Sequence, residues 1–385
     1  MATTTVVSGV QYSGIWNISS QANAKAANTW PVPPSPALFT WGAGAFGVLG
    51  LGNTTNYSSP KQVGLLKAWL NLASGASHVI SSKEDGTLWA WGRNNSGQLG
   101  VGDTANKSSP TQIGALTTWL KVAAGGYSSY AIKTDGTLWS WGSNSAGQLG
   151  LGNITYYSSP KQIGALTTWL SIASGFYTAI AIKTDGTLWS WGNNTYGQLG
   201  IGNTSVRSSP VQVGVLTNWL NIASGKYYTL SVKTDGTLWS WGQNNSGQLG
   251  LGNTTAYSSP KQVGALTAWN IVASKENHGL SIKTDGSLWS WGVNGNGQLG
   301  LGDSANRSSP VQVGALTNWL KITGGQYQSL SIKTDGTLWS WGDGGGGRLG
   351  LGNTTQYNSP KQVGALTNWA VVSTGTTATV ATAYL

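Results

Sequence analysis

The Trp-Gly dipeptide recurs every 50 residues along this chain without a single slip. It occurs seven times, at Trp41, Trp91, Trp141, Trp191, Trp241, Trp291 and Trp341. A second Trp keeps the same spacing from Trp69 to Trp369. Seven copies of 50 residues fill positions 36–385 with no insertion or deletion. A repeat of this length indicates stacked or radially arranged units.

Each copy has the pattern of antiparallel β-structure. In one copy the alternating run Ala179–Lys183 leads through Thr-Asp-Gly-Thr into Leu-Trp-Ser-Trp at 188–191. An Asp-Gly step between two such runs predicts a hairpin, and we expect a type I′ turn with both central residues at positive φ. A second pair of short strands is predicted around the Gln-Val-Gly and Trp-Leu segments. An all-β repeat of this size predicts a propeller blade.

The two ends of the repeat region predict a closed ring. The first copy has Ser35 and Pro36 where the others have Asp-Gly, and the last copy stops within the strand that leads into this turn. We expect a strand around Ala378–Ala383 to pair with Leu38–Trp41 inside one blade. The sequence therefore predicts an all-β, seven-bladed propeller over residues 36–385, with residues 1–35 as a separate anchoring or linker segment.

Composition narrows the class of protein. Only 8% of the residues are charged, against about 25% in an average soluble domain. Cysteine is absent, which excludes disulfides and cysteine-ligated zinc. No apolar run approaches the roughly 18 residues that span a bilayer, and the first residues lack the basic and apolar regions of a secretory signal. We expect neither membrane insertion nor Sec-type secretion.

The repeat unit WGxNxxGQLGxG…SSPxQV…IAxGxxxxxxIKTDG, over residues 36–385, closely resembles the RCC1-type repeat. Its GQLG step at 97–100 recurs nearly unchanged, with GVLG at 47–50 and GRLG at 347–350 as variants. The resemblance implies a seven-bladed propeller. The family includes a nucleotide-exchange factor for a small GTPase that docks on chromatin, and a secreted β-lactamase inhibitor shares the fold. Exchange activity in the family uses a hairpin inserted into one blade, and no copy here carries an insertion.

Residues 11–31 resemble a Trp-bracketed segment, W-x-(I/L)-x-x-Q…W-P, of virion structural and tail proteins of marine bacteriophages. The resemblance implies a virion anchor at Trp16, Gln21, Trp30 and Pro31, through which other virion proteins would be bound. The alternative is a terminal strand and turn that pack across the base of the ring.

Catalytic groups are scarce. Six of the 11 acidic residues lie in the Asp-Gly turns, where hairpin geometry accounts for them. The only histidines, His78 and His278, are four copies apart and cannot act together as a catalytic pair. The sequence has no metal-ligand cluster, nucleophile elbow or phosphate-binding loop. We expect no enzyme activity, no catalytic residues, no metal and no cofactor.

The excess of ten basic residues is spread around the repeats. Six lysines share one column beside the hairpin turn: Lys83, Lys133, Lys183, Lys233, Lys283 and Lys333. Nucleic-acid binding favours a concentrated patch, so we expect no specific nucleic-acid site. The column favours a solvated face that keeps the protein soluble, with weak attraction of polyanions as the alternative.

Differences among the copies identify a candidate binding face. The strongest variation follows the Ile-Ala-x-Gly step, where several copies carry Tyr, which offers a large contact area with a polar tip. The alternative is drift in exposed loops. The candidate residues are His78, Tyr127, Phe176, Tyr177, Lys226, Tyr227, Tyr228, Asn277, His278, Tyr327 and Gln328.

The sequence favours a non-enzymatic virion structural protein of a bacteriophage, present in several copies per particle. Residues 1–35 would attach it, and the propeller would serve as a tail, fibre or decoration module that binds a host-surface glycan or protein. Near-identical copies suit weak multivalent binding. The alternative is a free, cytoplasmic RCC1-type module that binds protein or chromatin. An exchange factor or a secreted lectin-like propeller fits less well.

Overall fold

The computed structural model describes residues 35–385, in which 28 strands form seven four-stranded antiparallel sheets. Each sheet is one blade. The first strands of neighbouring blades contact one another around a central channel, and each later strand lies further out. The all-β, seven-bladed propeller predicted from the repeat is confirmed.

The strands fall into four columns that follow one another from the channel outward. The innermost strands are Trp369–Thr374, Trp69–Ser74, Trp119–Ala124, Trp169–Ser174, Trp219–Ser224, Trp269–Ser274 and Trp319–Gly324. The second strands are Ala378–Tyr384, His78–Lys83, Ser128–Lys133, Thr178–Lys183, Tyr228–Lys233, His278–Lys283 and Gln328–Lys333. The third strands are Pro36–Gly42, Leu88–Gly92, Leu138–Gly142, Leu188–Gly192, Leu238–Gly242, Leu288–Gly292 and Leu338–Gly342. The outermost strands are Tyr57–Lys67, Lys107–Gln112, Tyr157–Gln162, Arg207–Gln212, Tyr257–Gln262, Arg307–Gln312 and Tyr357–Gln362.

A blade is offset from the sequence copy. A blade begins at a Trp of the second column, such as Trp69, and ends within the next copy. The reason is that its innermost strand comes before the Asp-Gly hairpin, which crosses the boundary between two copies. Blade I consists of residues 36–67 and 369–384. Blades II to VII are 69–112, 119–162, 169–212, 219–262, 269–312 and 319–362.

Blade I closes the ring. Its third strand comes from the beginning of the described chain and its second strand from the end, with Leu38 paired to Thr382 and Trp41 paired to Thr379. The predicted pairing of the two ends is confirmed. Because the strands are joined by hydrogen bonds and not by a turn, the ring has one non-covalent seam.

The Asp-Gly turns differ from the expected type I′ geometry. In blade II the Gly86 N–H donates to the Lys83 carbonyl, and the Lys83 N–H donates to the Thr87 carbonyl. Gly86 has φ of +76°, whereas no Asp of these turns has positive φ. This is a three-residue connection with a glycine bulge. The Asp85 carboxylate explains it, since it accepts from both the backbone N–H and the hydroxyl of Thr87 and so fixes the turn.

The Trp columns pack at the contacts between neighbouring blades. Trp91 is fully buried, and its indole N–H donates to the Val48 carbonyl of the preceding blade at 3.0 Å. Trp69 meets Trp91 edge to face, with ring centroids 5.8 Å apart. The same arrangement recurs around the ring, so indoles fill the space that leucines fill in other cores.

The lysine column is not the solvated face that we expected. Lys183 lies 3.6 Å from the centroid of Trp189 and 5.1 Å from that of Trp169, and only 7% of it is exposed. Its copies in blades III, V, VI and VII lie 3.7–4.1 Å from the equivalent ring. Each lysine therefore makes a cation–π contact between two indoles. The expectation of a solvated lysine face was wrong. The sequence spacing does not show that two indoles, such as Trp169 and Trp189, contact the same ammonium group.

The propeller has two different faces. The loop face carries the short connections between first and second strands, such as 75–77, and the long connections between third and outermost strands, such as 93–106. The turn face carries the Asp-Gly turns and the connections between blades, such as 113–118.

The described helices are two 3-10 turns, Ala45–Gly47 and Gly345–Gly347. No helix among residues 35–385 has the length and apolar character needed to cross a membrane.

Candidate binding site on the loop face

Four of the proposed binding residues are buried instead of exposed. His78, Tyr228, His278 and Gln328 have no accessible surface. They share the column that begins the second strand, where the side chain turns inward between neighbouring blades. Sequence variation there suggested a loop, but the loop ends one residue earlier. These four residues are corrected to core positions.

The buried histidines are held neutral. The His78 Nε2 lies 2.9 Å from the Ser129 hydroxyl of the next blade, and this hydroxyl donates to the Gln98 carbonyl. Nε2 therefore donates to Ser129, and the proton is on Nε2. Burial lowers the pKa of His78 to about 3, and burial lowers the pKa of His278 to about 4. Neither ring is placed to act as a base toward a bound molecule.

Five of the remaining candidates gather in one continuous cluster. The rings of Tyr127 and Phe176 meet at right angles with centroids 5.8 Å apart, although they belong to neighbouring blades. Tyr177 packs on Phe176 at 5.5 Å. The Lys226 ammonium group then lies 5.4 Å from the centroid of Phe176 and 5.6 Å from that of Tyr227.

Three further residues extend this cluster, and the sequence analysis missed them. Arg93 places its guanidinium carbon 4.8 Å from the Phe46 centroid and 5.3 Å from the Tyr127 centroid. Tyr196 packs on Tyr227 at 5.2 Å. These residues lie in the long connections of blades I, II and IV, whose own columns also differ from copy to copy: Phe46 and Tyr196 stand where the other copies have Ser, Ala, Asn or Gly. Comparison of those columns was the signal that could have found them.

We call this set of residues the aromatic arc. It runs over blades I to V and consists of six aromatic rings with two cations placed between rings. Its members are Phe46, Arg93, Tyr127, Phe176, Tyr177, Tyr196, Lys226 and Tyr227.

Two candidates lie outside the arc. Tyr327, in blade VII, is exposed, and its hydroxyl accepts from the Gln326 amide. Asn277 is half-buried in blade VI, between Tyr327 and the arc. Tyr327 is therefore separated from the other candidate tyrosines, which lie on neighbouring blades. The anchor candidates Trp16, Gln21, Trp30 and Pro31 lie outside the described residues.

Charges around the arc are mainly positive. The Lys226 ammonium group lies 3.7 Å from the carboxylate of Glu276, which is buried. Burial raises the pKa of Glu276, and Lys226 and Lys275 oppose this rise. Partial burial is the main cause that raises the pKa of Tyr177, and the neighbouring phenols of Tyr227 and Tyr127 raise it further.

The arc presents groups that suit binding. It combines flat rings, phenol hydroxyls and two cations, and the carboxylate of Glu276 pairs with one of these cations, Lys226. Within residues 35–385, no group of three or more His, Cys, Asp or Glu side chains is placed to hold a metal ion. The arrangement suits recognition of an extended molecule along the surface.

The sequence profile of the regulator of chromosome condensation (RCC1) repeat matches the chain seven times. The matches cover residues 37–81, 85–132, 135–182, 185–232, 235–274, 285–332 and 335–382. The chain belongs to the RCC1 repeat family. A second RCC1 repeat profile matches five segments between residues 70 and 298. No curated protein matches this RCC1 repeat chain in sequence.

Solved RCC1 structures have the same fold. Prp20p from Saccharomyces cerevisiae, whose binding to Gsp1p and histones is described with it, is 22% identical, with a TM-score of 0.81 over 97% of this chain and 96% of its own. Yeast RCC1 (Prp20) bound to Kap60 is 21% identical, with a TM-score of 0.82 over 100% and 96%. Human WBSCR16 is 20% identical, with a TM-score of 0.81 over 91% and 99%. At these identities the likeness concerns the fold alone.

Proposed function

We propose that this RCC1 repeat protein is a non-enzymatic structural protein of a bacteriophage virion, a tail, fibre or decoration component present in several copies. Its propeller is the adhesion module, and the aromatic arc binds a glycan or protein of the host surface. The observation that carries the proposal is the gathering of variable residues into one arc. Independent drift would scatter aromatic residues over all seven blades, whereas here, apart from Tyr327, the candidate aromatic residues of the loops meet on five neighbouring ones.

The place where the described chain begins also supports a propeller that is attached at one face and binds with the other. Pro36 pairs with Tyr384 at the edge where the other blades have their Asp-Gly turns. The described chain therefore begins on the turn face, and the arc lies on the opposite face. An attachment at one face would leave the other free for the host.

Exposed leucines on the turn face also favour an attachment surface. One column, in the connections between blades, is 37–52% exposed, and a second, at the start of the innermost strands, is 41–51% exposed. A ring of apolar side chains exposed on one face is the kind of surface that interaction sites use in soluble proteins. We propose that the turn face is directed toward the particle. The leucines are Leu66, Leu116, Leu166, Leu216, Leu266, Leu316 and Leu366 in the first column, and Leu70, Leu120, Leu170, Leu220 and Leu320 in the second.

Sedimentation of the protein from its native source tests the virion assignment. We expect the full chain to pellet with DNA-containing particles in fixed stoichiometry. A chain that lacks residues 1–35 should remain folded, as judged by its Trp fluorescence, and should stay in the supernatant. Full incorporation of the truncated chain would refute the anchor, and a full chain absent from particles would refute the virion function.

The second candidate is a free, cytoplasmic protein-interaction module. Membership of the RCC1 family favours it, since Prp20p is described as binding Gsp1p and histones. The uniform 50-residue spacing leaves no room for the inserted hairpin on which exchange activity in the family is expected to depend. Nucleotide exchange on a small GTPase, or retention of histones at physiological salt, would favour this candidate over the virion function.

A further inference from the structure

The two cations of the arc are each held between two aromatic rings. Arg93 lies between Phe46 and Tyr127, and Lys226 lies between Phe176 and Tyr227. The Arg93 Nε donates to the Asn95 side chain at 2.9 Å, which fixes the guanidinium group and leaves its terminal N–H groups for a ligand. Positions fixed in this way reduce the entropy lost on binding.

The arc has an excess of positive charge. Glu276 is its acidic neighbour and pairs with Lys226, while the Lys275 ammonium group lies close by. The other carboxylates of the loop face, Asp103, Asp303 and Asp343, pair with basic residues of their own blades. Arg93 therefore remains a cation without a carboxylate partner among residues 35–385. A ligand with negative charge complements this surface.

The rings provide the remaining contact area. Phe46 and Tyr196 are about two-fifths exposed at the two ends of the arc, at 42% and 38%. The interplanar angles are 89° between Tyr127 and Phe176 and 49° between Tyr196 and Tyr227. The third ring pair in contact, Phe176 and Tyr177, is tilted by 58°, so none of these pairs forms one flat platform. A chain whose units turn relative to one another, such as a polysaccharide, fits tilted rings better than a stacked column of bases does.

The spacing of the cations indicates how densely the ligand is charged. Arg93 belongs to blade II and Lys226 to blade V, so two aromatic blades separate them. Single-stranded nucleic acid carries a charge on every unit, and proteins that bind it line the backbone with basic groups. The arc has two cations and six rings. A polymer with occasional carboxylates matches this ratio, and arginine forms strong paired hydrogen bonds with carboxylates.

From these observations we propose that the aromatic arc binds an acidic polysaccharide, with sugar rings stacked on the arc aromatics and carboxylates bound by Arg93 and Lys226. The inference rests on the proposed adhesion function and names its ligand class. The partner is recognised by ring stacking together with sparse negative charge.

Binding of defined polymers to the purified full chain tests the proposal. The probes are an alginate oligosaccharide, in which uronate sugars carry carboxylates, neutral dextran of similar length, and oligodeoxythymidylate. We expect binding of alginate that weakens with added salt, and at least tenfold weaker binding of dextran. Equal binding of dextran would refute the role of charge, and tighter binding of oligodeoxythymidylate would assign the arc to single-stranded nucleic acid instead.

Matched variants locate the site. Arg93→Gln and Tyr227→Ala should each weaken alginate binding about tenfold, since each removes one contact of the arc. Lys361→Gln is the control, because Lys361 lies 5.7 Å from the Tyr357 ring on the outside of blade VII, much as Lys226 lies beside Tyr227. It removes the same charge outside the arc and should leave binding unchanged. Equal losses from Lys361→Gln and Arg93→Gln would mean that net charge alone attracts the polymer, which would overturn the proposal.

The result is independent of the sedimentation experiment. If the chain pellets with particles and ignores alginate, the ligand class is wrong and the virion function stands. If the chain binds alginate through the arc and does not enter particles, the site stands and the virion function is wrong.

Discussion

The Lys275 ammonium group donates a hydrogen bond to the carbonyl oxygen of Ser74, which belongs to a blade three positions away around the ring. The bond therefore crosses the central channel at its loop-face end. The other six copies have glycine in this column. A Cβ at Gly175 would clash with the carbonyl oxygen of Gly225 in the next blade, which explains the glycines. Lys275 is the exception, and its side chain reaches across the channel.

Replacement of Lys275 should change how stability depends on pH. Burial lowers the pKa of Lys275 to about 8, from 10.5 in the unfolded chain. Between these values the folded state has released a proton that the unfolded state still holds, so this residue makes the free energy of unfolding rise from pH 8 to pH 10.5. Lys275→Met should reduce that rise, as measured by urea unfolding at pH 7.5 and pH 10. Lys67→Met, at an exposed position, is the control. The same rise in both variants would show that the Lys275 amine is not buried.

The two buried histidines should make the protein sensitive to acid. Their folded pKa values of about 3 and about 4 lie below the unfolded value of 6.5. The unfolded state therefore binds protons that the folded state excludes, and the free energy of unfolding falls by roughly 1 kcal/mol per pH unit for each histidine below pH 6.5.

The double variant His78→Gln, His278→Gln should lose this acid sensitivity while it keeps the fold, because Gln328 already occupies the same buried column. We expect its unfolding midpoint in denaturant to change less than that of the natural chain between pH 6.5 and pH 4.5. Comparison at pH 8, where histidine is neutral in both states, separates the protonation effect from any packing defect. Parallel pH profiles of the two proteins would contradict the prediction.

Two glycines with similar backbone angles should differ in their tolerance of alanine. Gly100 has φ of +73°, and a Cβ there would lie 2.6 Å from the Trp141 indole nitrogen. Gly114 has φ of +59°, with open space around it. Gly114→Ala therefore costs backbone strain alone, about 1 kcal/mol. Gly100→Ala adds a clash with a fully buried ring and should cost about 1–3 kcal/mol more. Equal losses in urea unfolding would mean that the indole shifts freely.

Removal of the last strand should open the ring. Residues 378–385 supply the second strand of blade I, which pairs with strands on both sides. A chain that ends at Thr377 should not unfold in a single cooperative transition. The innermost strand of blade I, Trp369–Thr374, pairs with the removed strand alone and would have no partner. A chain that lacks only Leu385, which is half exposed, is the control and should unfold like the full chain. One cooperative transition of unchanged midpoint in the shorter chain would show that the ring does not depend on its seam.

Much of the fold could be predicted because each repeated position makes the same contact seven times. The Trp-Gly column predicted the seven blades, and the missing seventh turn predicted the seam at which Leu38 pairs with Thr382. Details that depend on three-dimensional surroundings were predicted less well. The turn type was wrong because the Asp85 carboxylate fixes another geometry. The lysine column was misinterpreted because its ammonium groups lie between indoles from two strands.

The sequence by itself determined the number of blades, the closure of the ring and the columns in which the copies differ. It could do so because a 50-residue period without slips leaves one way to bury the Trp columns. Only the tertiary structure decided which variable residues meet. Phe46 and Arg93 come from long connections and Tyr127 from a short one, and their contact depends on how neighbouring blades are placed around the axis. The one-residue difference that buries Tyr228 and leaves Tyr227 half-buried likewise follows from where each strand begins in space, because successive side chains of an extended chain point in opposite directions.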